Sequence, residues 1–161
     1  MYMVSACLAG INCRYDGKNT FDDRIAALVR EGRAIPLCPE VLGGLPTPRE
    51  SCEIVGTKPE PDSQNKKVNR GDGSRGRQVL GASGADHTEA YQEGAEKTLA
   101  ICRIAGIDTA ILQDRSPSCG FGRIYDGSFT GRLNEGNGVT AEQLSKNGIK
   151  VVNIRDWTKQ E

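Results

Sequence analysis

Apolar residues fall along this chain in short, strand-length runs set between stretches of helical spacing. Met1 to Ala6 is the first run, ending in a small-residue and cysteine turn, and it predicts a buried strand. Phe21, Ile25, Leu28 and Val29 then recur at helical intervals behind Thr20 and Asp23, which are spaced as a capping box, and Gly32 marks the stop. Arg33 to Cys38 predicts a second strand that Pro39 cannot continue, and VLGGLPTPR (Val41 to Arg49) predicts a rigid loop. Thr57 to Ala85 is polar and rich in breakers, so a surface excursion with one short hairpin is expected. Asp86 and Glu89 form a second capping-box pattern before Tyr91, Ala95, Leu99, Cys102 and Ala105, a helix that should end near Gly106. Asp108 to Gln113 predicts a strand and Ser116 to Gly122 a tight loop. Thr140 with Gln143 opens a short helix closed by Asn147–Gly148, and Lys150 to Ile154 is the last strand.

Strands alternating with helices predict an α/β fold: a Rossmann-like, mostly parallel sheet flanked by helices. One domain is expected over residues 1–161, with residues 57–85 as a long excursion loop. Aromatic residues are only 5% of the chain, so the core must be aliphatic, while the 20 glycines point to a site built on loops. Lys plus Arg and Asp plus Glu are 21 each, which removes the basic excess of a protein that grips a nucleic acid duplex. Lys66, Lys67, Arg70, Arg75 and Arg77 accordingly read as a solvated face. No apolar run approaches the roughly 18 residues of a membrane span. No basic leader followed by an apolar stretch opens the chain, so the cytoplasm is the expected compartment.

Six cysteines in a reducing compartment point to metal ligands or reactive thiols rather than to bridges. Parallel sheets place ligands outside the carboxyl ends of their strands. Cys7 ends the first strand, Cys38 ends the second, and Cys119 follows the strand Asp108 to Gln113, so three thiolates could converge at one sheet edge. Packing as small hydrophobes is the competing reading for any free cysteine, and it is the better one for Cys102 on the helical stripe. Cys52 starts a strand or lines the pocket; Cys13 is a fourth ligand or a bystander. Soft sulfur ligands select zinc, copper(I) or iron–sulfur clusters. The chain has no paired C-x2-4-C knuckle, so widely separated ligands in Gly-rich loops suit a larger guest than one zinc ion.

Glu40, two residues after Cys38, is a candidate general base toward water, or else it caps a loop amide or pairs with an arginine such as Arg49. Ser116 and Ser118 beside Cys119 offer hydroxyls to a substrate or a cluster sulfide, or make turn bonds to their own backbone. His87, the single histidine, reads as solvent-facing, which leaves no Ser/His/Asp triad. A P-loop and a dinucleotide-binding glycine fingerprint are also absent.

Three blocks, VSACLAGINCRYDG (Val4 to Gly17), CPEVLGGLPTPR (Cys38 to Arg49) and SPSCGFGRIYDGSFTG (Ser116 to Gly131), together resemble the thiouracil desulfurase family of small bacterial and archaeal proteins. The resemblance implies an oxygen-sensitive [4Fe-4S] cluster carried by three cysteines, its fourth iron open to the sulfur of a small thiolated nucleobase. On this sequence the family's ligands fall on Cys7, Cys38 and Cys119, its catalytic acidic residue on Glu40 and its catalytic serine on Ser116. Cys13 falls where relatives can carry an apolar residue, which argues against an essential ligand. ESCEI after Arg49 stands where relatives often carry a proline pair, and the excursion Thr57 to Ala85 is longer than typical. The implied activity is hydrolytic, non-redox desulfuration of a thiocarbonyl, as from 2-thiouracil to uracil and hydrosulfide. Two other classes compete: a non-catalytic zinc module built on the same thiolates, and a thiol-redox enzyme or sulfur carrier in which Cys7 and Cys13 alternate between thiol and disulfide.

Overall fold

Four of the apolar runs form one sheet. The structure, a computed structural model, describes residues 1–56 and 77–157. In chain order its elements are β1 (Tyr2–Ser5), a 3-10 turn (Ala6–Ala9), α1 (Asp23–Arg30), β2 (Ala34–Leu37), α2 (Pro39–Leu42), β3 (Cys52–Val55) and β4 (Gln78–Gly81). They continue with α3 (Thr88–Ala105), β5 (Thr109–Leu112), β6 (Arg123–Tyr125), β7 (Leu133–Glu135), α4 (Val139–Lys146), β8 (Lys150–Asn153) and α5 (Ile154–Trp157). The main sheet has the order β2-β1-β5-β8 and every pairing in it is parallel. Its register sets Ser5 beside Leu37 and Val4 beside Ile111, so the chain leaves β1, β2 and β5 at one edge.

The central strands are apolar on both faces. Met3, Ala110 and Leu112 pack with Leu99 and Cys102 of α3 and with Ala141 and Leu144 of α4. Val4 and Ile111 pack on the other side with Ile25 and Leu28 of α1, against which Trp157 of α5 also rests. A strand covered on both faces shows a continuous apolar run instead of an alternating one. Met3, Val4, Ile111 and Leu112 are all 0% exposed, each side chain contributing about 1.5–3 kcal/mol of transfer free energy. Cys102, also 0% exposed, is a packing residue.

The expected parallel α/β sheet is present, but several local expectations change. Helix α1 is capped by Asp22, whose Oδ1 accepts from the Arg24 N–H at 3.0 Å, not by the Thr20/Asp23 pair; the Thr20 N–H is committed to the Cys7 carbonyl. At the second helix the aspartate does bond the first turn, Asp86 Oδ1 accepting from the Thr88 N–H at 2.9 Å. Helix α4 begins after Gly138 with no side-chain cap, and Thr140 lies buried within its first turn. Its free amides go instead to the preceding cysteine loop: Val139 N–H to the Pro117 carbonyl at 2.8 Å, Thr140 N–H to that of Ser118 at 2.9 Å.

The helical turn α2 takes Val41 and Leu42 out of the expected Val41–Arg49 loop, whose remainder carries no helix or strand. Pro39 takes the first position of α2, where its missing N–H costs nothing. Two glycines let α2 press onto α3: a Cβ on Gly43 would meet the Ala90 carbonyl oxygen at 2.0 Å, and one on Gly94 would meet that of Pro39 at 1.9 Å. Of the polar excursion, residues 57–76 lie outside the described residues, including Lys66, Lys67, Arg70 and Arg75. Residues Gln78–Gly81 pair antiparallel with β3, and Arg77 donates to the Asn137 carbonyl instead of facing solvent alone. The antiparallel pair β6–β7 was not expected from the sequence.

Candidate active site

The edge where β1, β2 and β5 end opens into a cleft of about 300 Å³. In an open parallel sheet this is the switch point, where chain connections leave β1 in one direction and β5 in the other. Cys7 reaches it from the 3-10 turn after β1, Cys38 from the cap of α2, and Cys119 from the loop after β5; Cys13 and Cys52 line it as well. Four of these five thiols are buried and Cys38 is half-buried.

The thiols are not electrostatically alike. Cys13 lies between Cys7 and Cys38 and bonds to both. Those two contacts, with burial and the neighbouring charges, push the Cys13 thiol far above its usual range. The same contact with Cys13 lowers Cys7, and it lowers Cys38 to about 7, in each case against the opposing effect of burial. Cys38 Sγ also lies 3.8 Å from the Cys13 carbonyl oxygen. Cys119 is raised by burial, offset in part by the nearby hydroxyls of Ser5 and Ser118.

Glu40 projects from the first turn of α2 into the same cleft, where three donors meet its carboxylate. Oε1 accepts from Arg49 Nε at 3.1 Å and from the Tyr91 hydroxyl at 2.7 Å, and Oε2 accepts from Ser118 Oγ at 2.8 Å. The pair is deeply placed, Arg49 side chain 5% and Glu40 side chain 13% exposed. Burial works against the charge on Arg49, but the Glu40 carboxylate, with Cys38 and Tyr91, more than offsets it and its pKa rises. Burial first, then the adjacent carboxylate, drives Tyr91 far above the usual phenol range, so its hydroxyl stays protonated and donates. Arg49 also donates from Nη2 to the Cys13 carbonyl at 2.8 Å, which ties the carboxylate to the thiol loop.

Ser118 has one proton, and Glu40 takes it. The 3.2 Å contact between Ser116 Oγ and Ser118 Oγ is then donated by Ser116, whose oxygen in turn accepts the Cys119 N–H at 2.7 Å. The hydroxyls and the carboxylate form one file, Ser116 to Ser118 to Glu40. Ser116 thus lies in the cleft but touches Glu40 only through Ser118. Sequence reasoning did not assign Ser118 or Tyr91 to the carboxylate. Tyr91 reads as a core position at helical spacing, and the one signal was chemical: a buried phenol needs a partner for its hydroxyl. His87 is half-buried, its Nε2 2.7 Å from Glu50 Oε1, and stands apart from the cleft.

The donor chemistry suits an iron–sulfur core. Three thiols on three separate strand ends surround the cleft, while no trio of Cys, His, Asp or Glu among the described residues is placed to close on one metal ion. No described helix is long and apolar enough to cross a membrane.

Comparison with known proteins agrees with this geometry. The chain is 44% identical over 152 residues to the uncharacterized protein YbbK of Bacillus subtilis (strain 168), covering 94% of each. Its fold matches the solved structure of the [4Fe-4S]-dependent thiouracil desulfidase TudS with a TM-score of 0.79 at 39% identity, over 98% of this chain and 93% of that one. The model of the family described as 2-thiouracil desulfurase matches residues 2–156, and the chain belongs to that family.

Proposed function

We propose that this protein hydrolyses the thiocarbonyl of 2-thiouracil or a related thiolated nucleobase, with no net redox change, using a [4Fe-4S] cluster held by Cys7, Cys38 and Cys119. The observation that carries the reading is the gathering of those three thiols and the Glu40 carboxylate around one cleft at the sheet's carboxyl edge. Membership of the 2-thiouracil desulfurase family, and the likeness to TudS, support it.

When bound, the cluster supplies a Lewis-acidic iron without a protein ligand, suited to a soft thiocarbonyl sulfur. Glu40 supplies the base. Its Oε1 is held by Arg49 and Tyr91, so Oε2, which among the described residues accepts only from Ser118, has room for a proton taken from water. The water oxygen bonds to the thiocarbonyl carbon, the C–S bond breaks with its electron pair on sulfur, and the products are the oxo base, hydrosulfide and a proton. Ser116 orients the heterocycle at the end of the hydroxyl file. The acidified Cys38 thiol favours the thiolate that a metal site requires.

Anaerobic purification with iron and sulfide analysis tests the ligands. Cys7→Ala, Cys38→Ala and Cys119→Ala should each lose most of the iron, Cys13→Ala should keep it, and Glu40→Ala should keep it yet form no uracil from 2-thiouracil. A full iron complement in the three ligand variants, or turnover by Glu40→Ala, would overturn the assignment. The contact of Cys13 with Cys7 favours a second, thiol-redox reading, which predicts turnover without iron and its loss in Cys13→Ala.

A further inference from the structure

Most charged groups around the cleft are already committed within the protein. Glu40 holds three donors, Glu53 Oε1 accepts the Gly127 and Phe129 N–H groups at 3.0 and 3.3 Å, and Asp114 pairs with Arg123 and Asn153. Cys7, Cys38 and Cys119 are assigned to the cofactor, and Cys52 Sγ reaches the Glu50 carbonyl at 3.7 Å. What remains, beside three hydroxyls, is one carboxamide. Gln113 lines the cleft and is the first residue beyond β5, directly at the switch point. Its main chain is fixed by an N–H bond to Ser5 Oγ at 2.9 Å and by Leu112, 0% exposed, just before it. Its side-chain amide has no hydrogen-bond partner among the described residues.

From this we infer that Gln113 reads the substrate ring, its carbonyl accepting from the ring N3–H and its NH2 donating to the O4 carbonyl of a 2-thiopyrimidine; the inference rests on the desulfuration reading above. The hydroxyls of Ser51, Tyr15 and Tyr125 also line the cleft without partners among the described residues. Each presents a single oxygen, whereas a lactam edge presents a donor and an acceptor side by side. A planar amide on a fixed backbone matches both at once, the pairing by which Asn and Gln read base edges elsewhere. Gln113 is then a specificity-determining residue on the N3–C4 edge of the ring.

The test measures kcat and KM of the reconstituted holoenzyme for 2-thiouracil and for its 1-methyl and 3-methyl derivatives, in wild type, Gln113→Ala and Gln113→Glu. In wild type, 3-methylation should raise KM about tenfold to a hundredfold, the range of one bidentate pair, while 1-methylation, which spares that edge, changes it little. Gln113→Ala should show a comparable rise for 2-thiouracil itself, keep its iron content, and lose the extra penalty for 3-methylation to within about twofold, with kcat little changed. Gln113→Glu, which lacks the donor, should bind no better than Gln113→Ala. An equal 3-methyl penalty in wild type and Gln113→Ala would overturn the inference. Equilibrium dialysis with uracil and 3-methyluracil gives a readout without turnover. An inactive wild type would refute the desulfuration reading, yet uracil binding weakened in Gln113→Ala would still uphold the pairing, and unchanged binding would refute it.

Discussion

Replacing Gly94 by alanine probes whether the carboxylate is aimed by backbone packing. A Cβ at this position would lie 1.9 Å from the Pro39 carbonyl oxygen and 3.2 Å from the Gly43 nitrogen. Both obstacles are main chain, so no side chain can rotate away, and α2 must retreat from α3 by more than about 1 Å to restore an ordinary contact. That retreat carries Glu40, the second residue of α2, away from Tyr91, which stays on α3. The 2.7 Å hydroxyl–carboxylate bond opens beyond hydrogen-bonding reach. Overpacking of this kind costs about 1–3 kcal/mol of stability, and a displacement near 1 Å at a reacting group costs about a hundredfold in rate. Thermal unfolding should therefore fall by about 2–12 °C for a chain of this length, and kcat for 2-thiouracil by about two orders of magnitude with iron content retained. A Gly94→Ala protein with wild-type kcat and melting temperature would show that α2 and α3 do not touch as described and that Glu40 is aimed by something else.

Two further expectations address the hydroxyl file and the first helix. Ser118→Ala removes the only donor to Glu40 Oε2 among the described residues and should lower kcat about tenfold or more, whereas Ser116→Ala, one step further along the file, should affect KM as well; equal and purely KM effects would contradict the order of the file. Asp22→Ala should cost about 1 kcal/mol through loss of the α1 cap, read as a lower melting temperature. The hydrogen bond from the Arg24 side chain holds the Asp22 carboxyl below its ordinary range, so this stabilisation is present above pH ~4 and fades as pH falls through the lowered value. The gap in melting temperature between wild type and Asp22→Ala should accordingly narrow in acid, and a gap that widens would contradict the sign.

The parallel sheet was legible because buried strands leave unbroken apolar runs, and the rule that ligands gather at carboxyl edges pointed to the cleft that Cys7, Cys38 and Cys119 line together with Cys13 and Cys52. What stayed hidden has a common cause. Helix α4 is capped by carbonyls of Pro117 and Ser118, and every residue carries a carbonyl, so no side-chain pattern announces the start. The Thr140/Gln143 signature misled for that reason. Tyr91 sits on the apolar stripe of α3, and only its hydroxyl reaches the cleft wall, so spacing reports its ring and not its oxygen. Strands β6 and β7 are three residues each, and β7 is exposed throughout, too short and too polar to leave a periodic trace.

Because its opening amides are bound by the cysteine loop, α4 serves as the splint of that loop. Fraying of its first turn would free the peptide units on either side of Ser118 and, with them, the direction of the Cys119 sulfur. A mutation on an outer helix can thereby misplace the proposed Cys119 ligand without touching any atom of it, and poor iron retention in such a variant would trace to a loosened helix end rather than to a missing thiol.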